Sequence, residues 1–255
     1  MKIADAHAVV TGGASGLGHA VARHVVARGG KVVLIDVQET TGTVAASELG
    51  PAAAFVKCDV TSEQEVGAAM EAARERMGSV NLLVNCAGVV GAGRVLGRTG
   101  PMAGEFFARV VAINLIGTFL CDKAAASVMQ HNTPTADGER GVLIHTSSVA
   151  AFEGQIGQAA YSATKAGIAG MTLPIARELA LFGIRCVAIA PGIFRTPMLA
   201  AMSQEIQDSL ARQIPFPQRL GKPEEFAELV QSIFENTMFN GTTIRLDGAI
   251  RMQPK

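Results

Sequence analysis

The chain has no tryptophan, only 5% aromatic residues and no excess of either charge. Lysine plus arginine and aspartate plus glutamate each number 22 in 255 residues. A chain so balanced lacks the broad positive field of a nucleic-acid binder, and no nucleic-acid partner is expected. The four cysteines, Cys58, Cys86, Cys121 and Cys186, are widely spaced without a CxxC pair. That excludes a thiol redox motif and favours reduced thiols packed as small hydrophobes. His7, His19 and His131 show no metal-ligand spacing, so no metal site is expected. His145, at a strand end near Ser148, reads as a satisfied core histidine. No apolar run reaches the ~18 residues of a membrane span. The first strand begins near Ala6, which leaves no room for a signal or transit peptide and points to a cytoplasmic setting. No Pro/Ser-rich linker, charge block, repeat or low-complexity tract divides the sequence, so residues 1–255 read as one domain.

The apolar fraction is 49% and the mean hydropathy +0.29, enough for a large core. Short apolar runs alternate with longer helical patterns. The strands expected are His7–Val10, Lys31–Ile35, Ala53–Lys57, Val80–Val84, Val142–His145, Arg185–Ala190 and Thr243–Leu246. The helices expected are Leu17–Arg28, Thr40–Leu49, Glu63–Met77, Glu105–Met129, Ala160–Phe182, Ala200–Gln213 and Pro223–Phe234. This alternation predicts an α/β fold: a Rossmann-like, doubly wound parallel sheet of about seven strands with helices on both faces. In such a sheet the ligand crevice lies beyond the carboxyl ends of the strands. The chain's unusual residues fall at those ends.

One group is the glycine turn Thr11-Gly12-Gly13-Ala14-Ser15-Gly16-Leu17-Gly18. Glycines let backbone approach a pyrophosphate, and the helix that follows supplies N–H donors and positive potential. Asp36 ends the second strand, about 20 residues beyond the turn, where a carboxylate can accept both hydroxyls of an adenosine ribose and would repel a 2′-phosphate. Val37, Gln38 and Glu39 bring no cation, so NAD is expected over NADP. A second group is Tyr161 and Lys165, four apart and therefore on one helix face. A cation beside a phenol lowers its pKa from ~10, and a phenol so tuned can exchange a proton with an alcohol. Ser148 lies thirteen residues before Tyr161.

The motifs TGxxxGxG, Asn85-Cys86-Ala87-Gly88, Ser148 with Tyr161 and Lys165, and Pro191-Gly192, in that order, resemble the short-chain dehydrogenase/reductase family over nearly the whole chain. The segments Val149–Gln155, Met171–Arg177 and Ile244–Pro254 resemble, inside it, the type II group of 3-hydroxyacyl-CoA dehydrogenases, also known as type 10 17β-hydroxysteroid dehydrogenases. The resemblance implies reversible oxidation of a secondary alcohol with NAD. Tyr161 would serve as base, Lys165 would tune it and bind the nicotinamide ribose, and Ser148 would stabilise the substrate oxygen. Asn114 would be the fourth catalytic residue, its mid-helix carbonyl holding a water that relays protons from Lys165. It also implies that Gly12, Ser15, Gly16, Leu17 and Gly18 hold the pyrophosphate, Asp59 and Val60 the adenine, and Asn85, Ala87 and Gly88 the ribose. Pro191, Gly192, Ile193 and Thr196 would hold the carboxamide. Gln155 has two readings, a donor to an acyl carbonyl or a polar loop residue.

The segment 194–220 carries Met198, Leu199, Met202, Ile206, Leu210 and Phe216 with three prolines, and reads as an apolar substrate lid or as a helix packed on the core. An apolar pocket and the resemblance favour an acyl-CoA substrate, with hydroxysteroids or other free alcohols as the alternative. A nucleotide-binding scaffold is the alternative of another class, opposed by the complete set Ser148, Tyr161, Lys165 and Asn114. Between Gly88 and Glu105 the sequence departs from the type II pattern, and Arg94 and Arg98 read as solvated charges or as contacts for CoA phosphates. Small residues on Glu105–Met129 and Ala160–Phe182 (Ala124, Ala163, Gly167, Gly170) and the resemblance imply a homotetramer.

Overall fold

All seven expected strands pair in parallel into one sheet. The structure, a computed structural model, describes residues 1–254 apart from Thr99; the side chain of Met198, one of the lid residues, lies outside the described residues. The elements in chain order are β1 (His7–Thr11), α1 (Gly16–Ala27), β2 (Lys31–Asp36), α2 (Glu39–Leu49), β3 (Ala53–Lys57), α3 (Glu63–Met77) and β4 (Leu82–Asn85). A two-stranded ribbon, β5 (Leu96–Gly97) and β6 (Gly100–Pro101), precedes α4 (Gly104–Val111) and α5 (Gly117–Met129). Then come β7 (Gly141–Thr146), α6 (Ala159–Leu179), β8 (Ile184–Pro191), α7 (Pro197–Ala200), α8 (Gln204–Ala211), α9 (Pro223–Glu235) and β9 (Thr243–Leu246).

The strand order is β3-β2-β1-β4-β7-β8-β9, with every pairing in this sheet parallel. The chain winds outward from β1 to β3, then returns to the other side of β1 with β4. The strand order therefore reverses between β1 and β4, and a crevice opens there at the carboxyl ends. Because side chains alternate across a strand, each strand feeds both faces. Val10, Leu34, Val84, Ile144 and Ile189 pack under α1 and α9, with Phe226 and Phe234 filling that layer. Val9, Val33, Leu83, Leu143 and Cys186 pack on the opposite face under α3, α5 and α6. β8 is buried at all eight positions, as a central parallel strand must be.

Three sequence expectations change in detail. The helix expected over Glu105–Met129 contains a π-helical turn, Ala112–Ile116, between α4 and α5. The helix expected over Ala200–Gln213 is two shorter ones, since the chain breaks helix after Ala200 and resumes at Gln204. The ribbon β5–β6 was not expected in the glycine-rich segment. The stretch Gly104–Met129 is long and apolar enough to cross a membrane by length and composition alone. Here it packs against α3, α6 and β7 instead.

Charge enters the sheet's far end through Arg185, which is buried on β8. Its guanidinium donates to Glu139 at 2.5 Å and to the carbonyls of Ile233, Phe234 and Phe239 at 2.8–3.0 Å. It therefore satisfies the last carbonyls of α9, which would otherwise be orphaned. Arg185→Met leaves buried Glu139 with only the Met1 ammonium, at 3.4 Å, and should lower unfolding stability by about 3 kcal/mol in urea denaturation, with specific activity of the folded fraction retained.

Candidate active site

At the crevice the ends of β1 and β4 are stitched together by a residue that sequence reading left out of the site. Thr11 Oγ1 accepts hydrogen bonds from the backbone N–H of Cys86 and of Ala87, both at 3.1 Å. Its place in the TGxxxGxG motif was the available signal. Gly12 crosses this seam with φ +63°, and a Cβ there would lie 2.8 Å from the Ala87 nitrogen. A Cβ on Gly18 would run into the Gly12 carbonyl. The turn is thus closed to any side chain at these two positions, and the start of α1 is left open. Ser15 precedes α1 in extended conformation, Gly16 is its first residue, and half-buried Leu17 packs on the core.

Asp36 accepts from the Ala14 nitrogen at 3.2 Å and the Gln38 nitrogen at 3.1 Å, which holds its carboxylate beside the glycine turn. Asp59 is exposed past β3 and is oriented by Thr61, whose N–H and hydroxyl reach its Oδ1 at 2.9 and 2.8 Å. Val60 is buried against the start of α5 at Gly117. On the other side, Pro191 ends β8, Gly192 donates to the Leu246 carbonyl at 2.9 Å, and the Ile193 carbonyl accepts from Gly221 at 2.9 Å. Thr196 caps α7 and lies within reach of Gly16.

Ser148, Tyr161 and Lys165 meet at the end of β7. Lys165 is buried and donates to the Thr146 carbonyl at 2.6 Å, and its ammonium sits 5.7 Å from the Tyr161 ring centroid. Burial pulls the Lys165 pKa down to about 8, with Cys86 opposing. Burial also raises the Tyr161 phenol, and the Ser148 hydroxyl pulls it partly back. The sequence expectation that Lys165 lowers the phenol is therefore not met in the protein alone; Ser148 is the side chain that acts in that direction. The Ser148 oxygen also accepts from the Ala150 nitrogen at 3.1 Å, which orients the side chain.

Asn114 sits in the π turn, fully buried. Its side chain clamps Val89 from both sides, accepting from the nitrogen at 2.8 Å and donating to the carbonyl at 2.9 Å, and its amide also reaches Thr164 Oγ1 at 3.2 Å. A Cβ on Gly88 would lie 3.1 Å from Asn114 Oδ1 and 3.9 Å from Lys165 Nζ. Its own carbonyl accepts from Thr118 Oγ1 at 2.7 Å.

Asp122 escaped sequence reading because nothing distinguishes it from a helix-surface carboxylate. Here it is buried on α5, bonded by Asn85 Nδ2 and by His145 Nε2, both at 2.8 Å. The other His145 nitrogen meets Thr172 Oγ1 at 3.1 Å. Burial alone would discharge this imidazole, but Asp122 and Cys186 hold its pKa well above the ordinary range. His145 is therefore a satisfied core histidine, as its position suggested, and its partner is a charge. Gln155 Nε2 donates to the Gln253 carbonyl at 3.0 Å. Arg94 and Arg98 are both exposed.

The chain is similar to known proteins. A family model described as short chain dehydrogenase matches residues 6–207. This chain belongs to that family. It is 53% identical over 249 residues to the 3-hydroxyacyl-CoA dehydrogenase type-2 of Bos taurus, covering 97% of this chain and 95% of that one. The crystal structure of the Mycobacterium avium 3-hydroxyacyl-CoA dehydrogenase type-2 superposes with a TM-score of 0.92 at 42% identity, over 97% of this chain and 96% of that chain. The Brucella melitensis 3-ketoacyl-(acyl-carrier-protein) reductase, solved with NADH, gives 0.85 at 29% identity, over 96% and 98%. The enzyme is an oxidoreductase, and its sheet, helices and strand order are those of its family.

The buried Lys165 ammonium has a thermodynamic signature. Both folded and unfolded chains carry this proton below pH ~8, and the folded one holds it at a penalty; above pH 8 the folded chain releases it first, so the penalty fades as pH rises toward the unfolded value near 10.5. Lys165→Met should therefore raise Tm at pH 7 while removing activity, and the gap in Tm over the wild type should narrow between pH 8 and 10.

Proposed function

We propose that the enzyme is an NAD-dependent 3-hydroxyacyl-CoA dehydrogenase, interconverting 3-hydroxyacyl and 3-ketoacyl thioesters, short and 2-methyl-branched chains included. The observation that carries the reading is the meeting of Ser148, Tyr161 and Lys165 at one strand end, beside a glycine turn that a side chain would fill. The type-2 relatives support the substrate class, and the NADH-bound reductase supports the cofactor. The residues present fit a dinucleotide. Gly12, Ser15, Gly16, Leu17 and Gly18 would cradle the pyrophosphate, Asp36 the adenosine ribose, and Asp59 and Val60 the adenine. Asn85, Ala87, Gly88, Tyr161 and Lys165 would line the nicotinamide ribose, and Pro191, Gly192, Ile193 and Thr196 the carboxamide. When bound, NAD supplies the acceptor for the hydrogen on the alcohol carbon.

The chain's own residues do the rest. The Ser148 hydroxyl donates to the substrate oxygen and stabilises charge developing there. Tyr161 takes the alcohol proton in oxidation and returns it in reduction. Lys165, fixed by the Thr146 carbonyl, keeps a positive charge beside the ring. Asn114, through its clamp on Val89, holds Gly88 close to Lys165, and its π turn offers carbonyls out of helical register for proton exchange with solvent. The segment 194–220 acts as a lid whose Met202, Ile206 and Phe216 present apolar surface to an acyl chain. That same surface also suits a hydroxysteroid or other free secondary alcohol.

The reading extends to one domain over residues 1–255 and to a homotetramer in the cytoplasm. Phe107, Ile116, Phe119 and Leu173 leave α4, the π turn, α5 and α6 exposed and apolar, as a face covered by a second copy would be. All four cysteines are free thiols, in keeping with a reducing compartment.

The test is NADH formation with (S)-3-hydroxybutyryl-CoA, 2-methyl-3-hydroxybutyryl-CoA and hydroxysteroids. CoA-ester turnover lost by at least about a hundredfold in Tyr161→Phe supports the reading; turnover of free alcohols alone sinks the CoA assignment. Ser148→Ala removes the group that holds the phenol down, so the rising limb of its pH–rate profile for alcohol oxidation should move to higher pH.

A further inference from the structure

The chain beyond β9 turns sharply at Asp247-Gly248-Ala249. Ala249 has φ +67°, the one non-glycine residue with positive φ among the described residues. That conformation is strained for alanine, and Asp247 Oδ1 holds it by accepting from the Ala249 nitrogen at 2.9 Å. The turn drops Ile250 into a small core of its own with Val149 and Ile214. Val149 follows Ser148, and Ile214 lies in the lid segment, so Ile250 is wedged between the catalytic loop and the lid base.

On one side the tail grips the loop that joins Ser148 to Tyr161. Arg245 holds both carboxylate oxygens of Glu153 at 2.8 and 2.9 Å, bonds Asp247 at 2.7 Å, and lies over the Phe152 ring at 5.3 Å. Gln155 Nε2 donates to the Gln253 carbonyl and the Ile156 nitrogen to the Pro254 carbonyl, both at 3.0 Å. On the other side the Phe216 nitrogen donates to the Gly248 carbonyl at 3.3 Å. The loop 152–156 has no strand or helix to fix it. Phe152 and Glu153 donate to the Val149 carbonyl at 3.0 and 2.9 Å and the Gln155 nitrogen to Gln158 Oε1 at 3.0 Å, which shapes the loop, and the tethers join it to the lid base. Phe152, Ile156 and Phe216, which the tethers flank, are all exposed and apolar.

We propose that Arg245 at the end of β9 and the tail Asp247–Pro254 together form a specificity-determining strap that sets the spacing between the loop 152–156 and the lid base, and with it the width of the mouth offered to an acyl chain. The strap also holds the Gln155 amide on the tail. Arg245 and Glu153 are positioning residues: they touch neither substrate nor cofactor and act by holding the loop. The idea rests on the dehydrogenase reading of the site.

The test compares wild type with Glu153→Gln, which keeps the shape of the side chain and removes its charge, and with Arg245→Met. Each is assayed for KM and kcat with 3-hydroxybutyryl-CoA and 3-hydroxyoctanoyl-CoA, for NAD affinity, and for hydrogen exchange at the Ile156 amide. The strap predicts faster Ile156 exchange and a KM for the short substrate raised about fivefold. It also predicts a reduced preference between the two chain lengths, with kcat and NAD affinity within about twofold. Faster exchange with unchanged KM and unchanged preference would overturn the proposal, as would parallel loss of kcat and NAD affinity, the mark of a merely structural role. A wild type silent on CoA esters but active on free secondary alcohols would sink the CoA reading alone, and the same KM comparison would then be read with a short and a long alcohol.

Discussion

A positive charge held out of water at the end of β7 is the constraint on which the site depends. Lys165 is buried there with its ammonium 2.6 Å from the Thr146 carbonyl and beside Gly88, just past the facing strand, which projects no side chain. Both features come from the sheet. β4 and β7 run side by side in register, Asn85 opposite His145, so their carboxyl ends present one carbonyl and one bare backbone to the same ammonium. The π turn completes the enclosure by placing Asn114, rather than a helix-interior residue, against Val89.

That enclosure is braced by a second buried pair. Asp122 on α5 and His145 on β7 form it, with Asn85 at the end of β4 as the third member. A pair like this contributes little net stability compared with apolar packing, but breaking it leaves an unpaired charge in the core. It therefore opposes any sliding of β7 against β4 or α5. The lysine and the pair pull in opposite directions on pH: burial makes Lys165 release its proton early, whereas Asp122 makes His145 retain one late.

The sheet was readable because parallel strands buried on both faces are short apolar runs, and β8 is an instance with no polar side chain except Arg185 between its ends. The glycine turn, Asp36, Ser148, Tyr161 and Lys165 were readable because their types and spacing are tied to strand ends. The π turn was not, since one extra residue in a helix leaves the 3.6-residue apolar pattern of Glu105–Met129 nearly intact. Asp122 was not, because its partners lie 37 and 23 residues away on other elements. The Gln155 contact was not legible for the same kind of reason: it is to the main chain of Gln253, 98 residues on, and a backbone carbonyl has no signature in sequence. The phenol of Tyr161 departed from expectation because spacing reports a neighbouring cation but carries no information on burial, which dominates here.

Tyr161 is the sole tyrosine, and tryptophan is absent. The half-buried ring beside Lys165 is thus the whole of the protein's phenol and indole chromophore. Near-ultraviolet absorbance and intrinsic fluorescence, ordinarily averages over a molecule, report here on one ring. Ionisation of that phenol, and any approach of a ligand to it, can be followed optically in the unmodified enzyme without a label or an engineered probe.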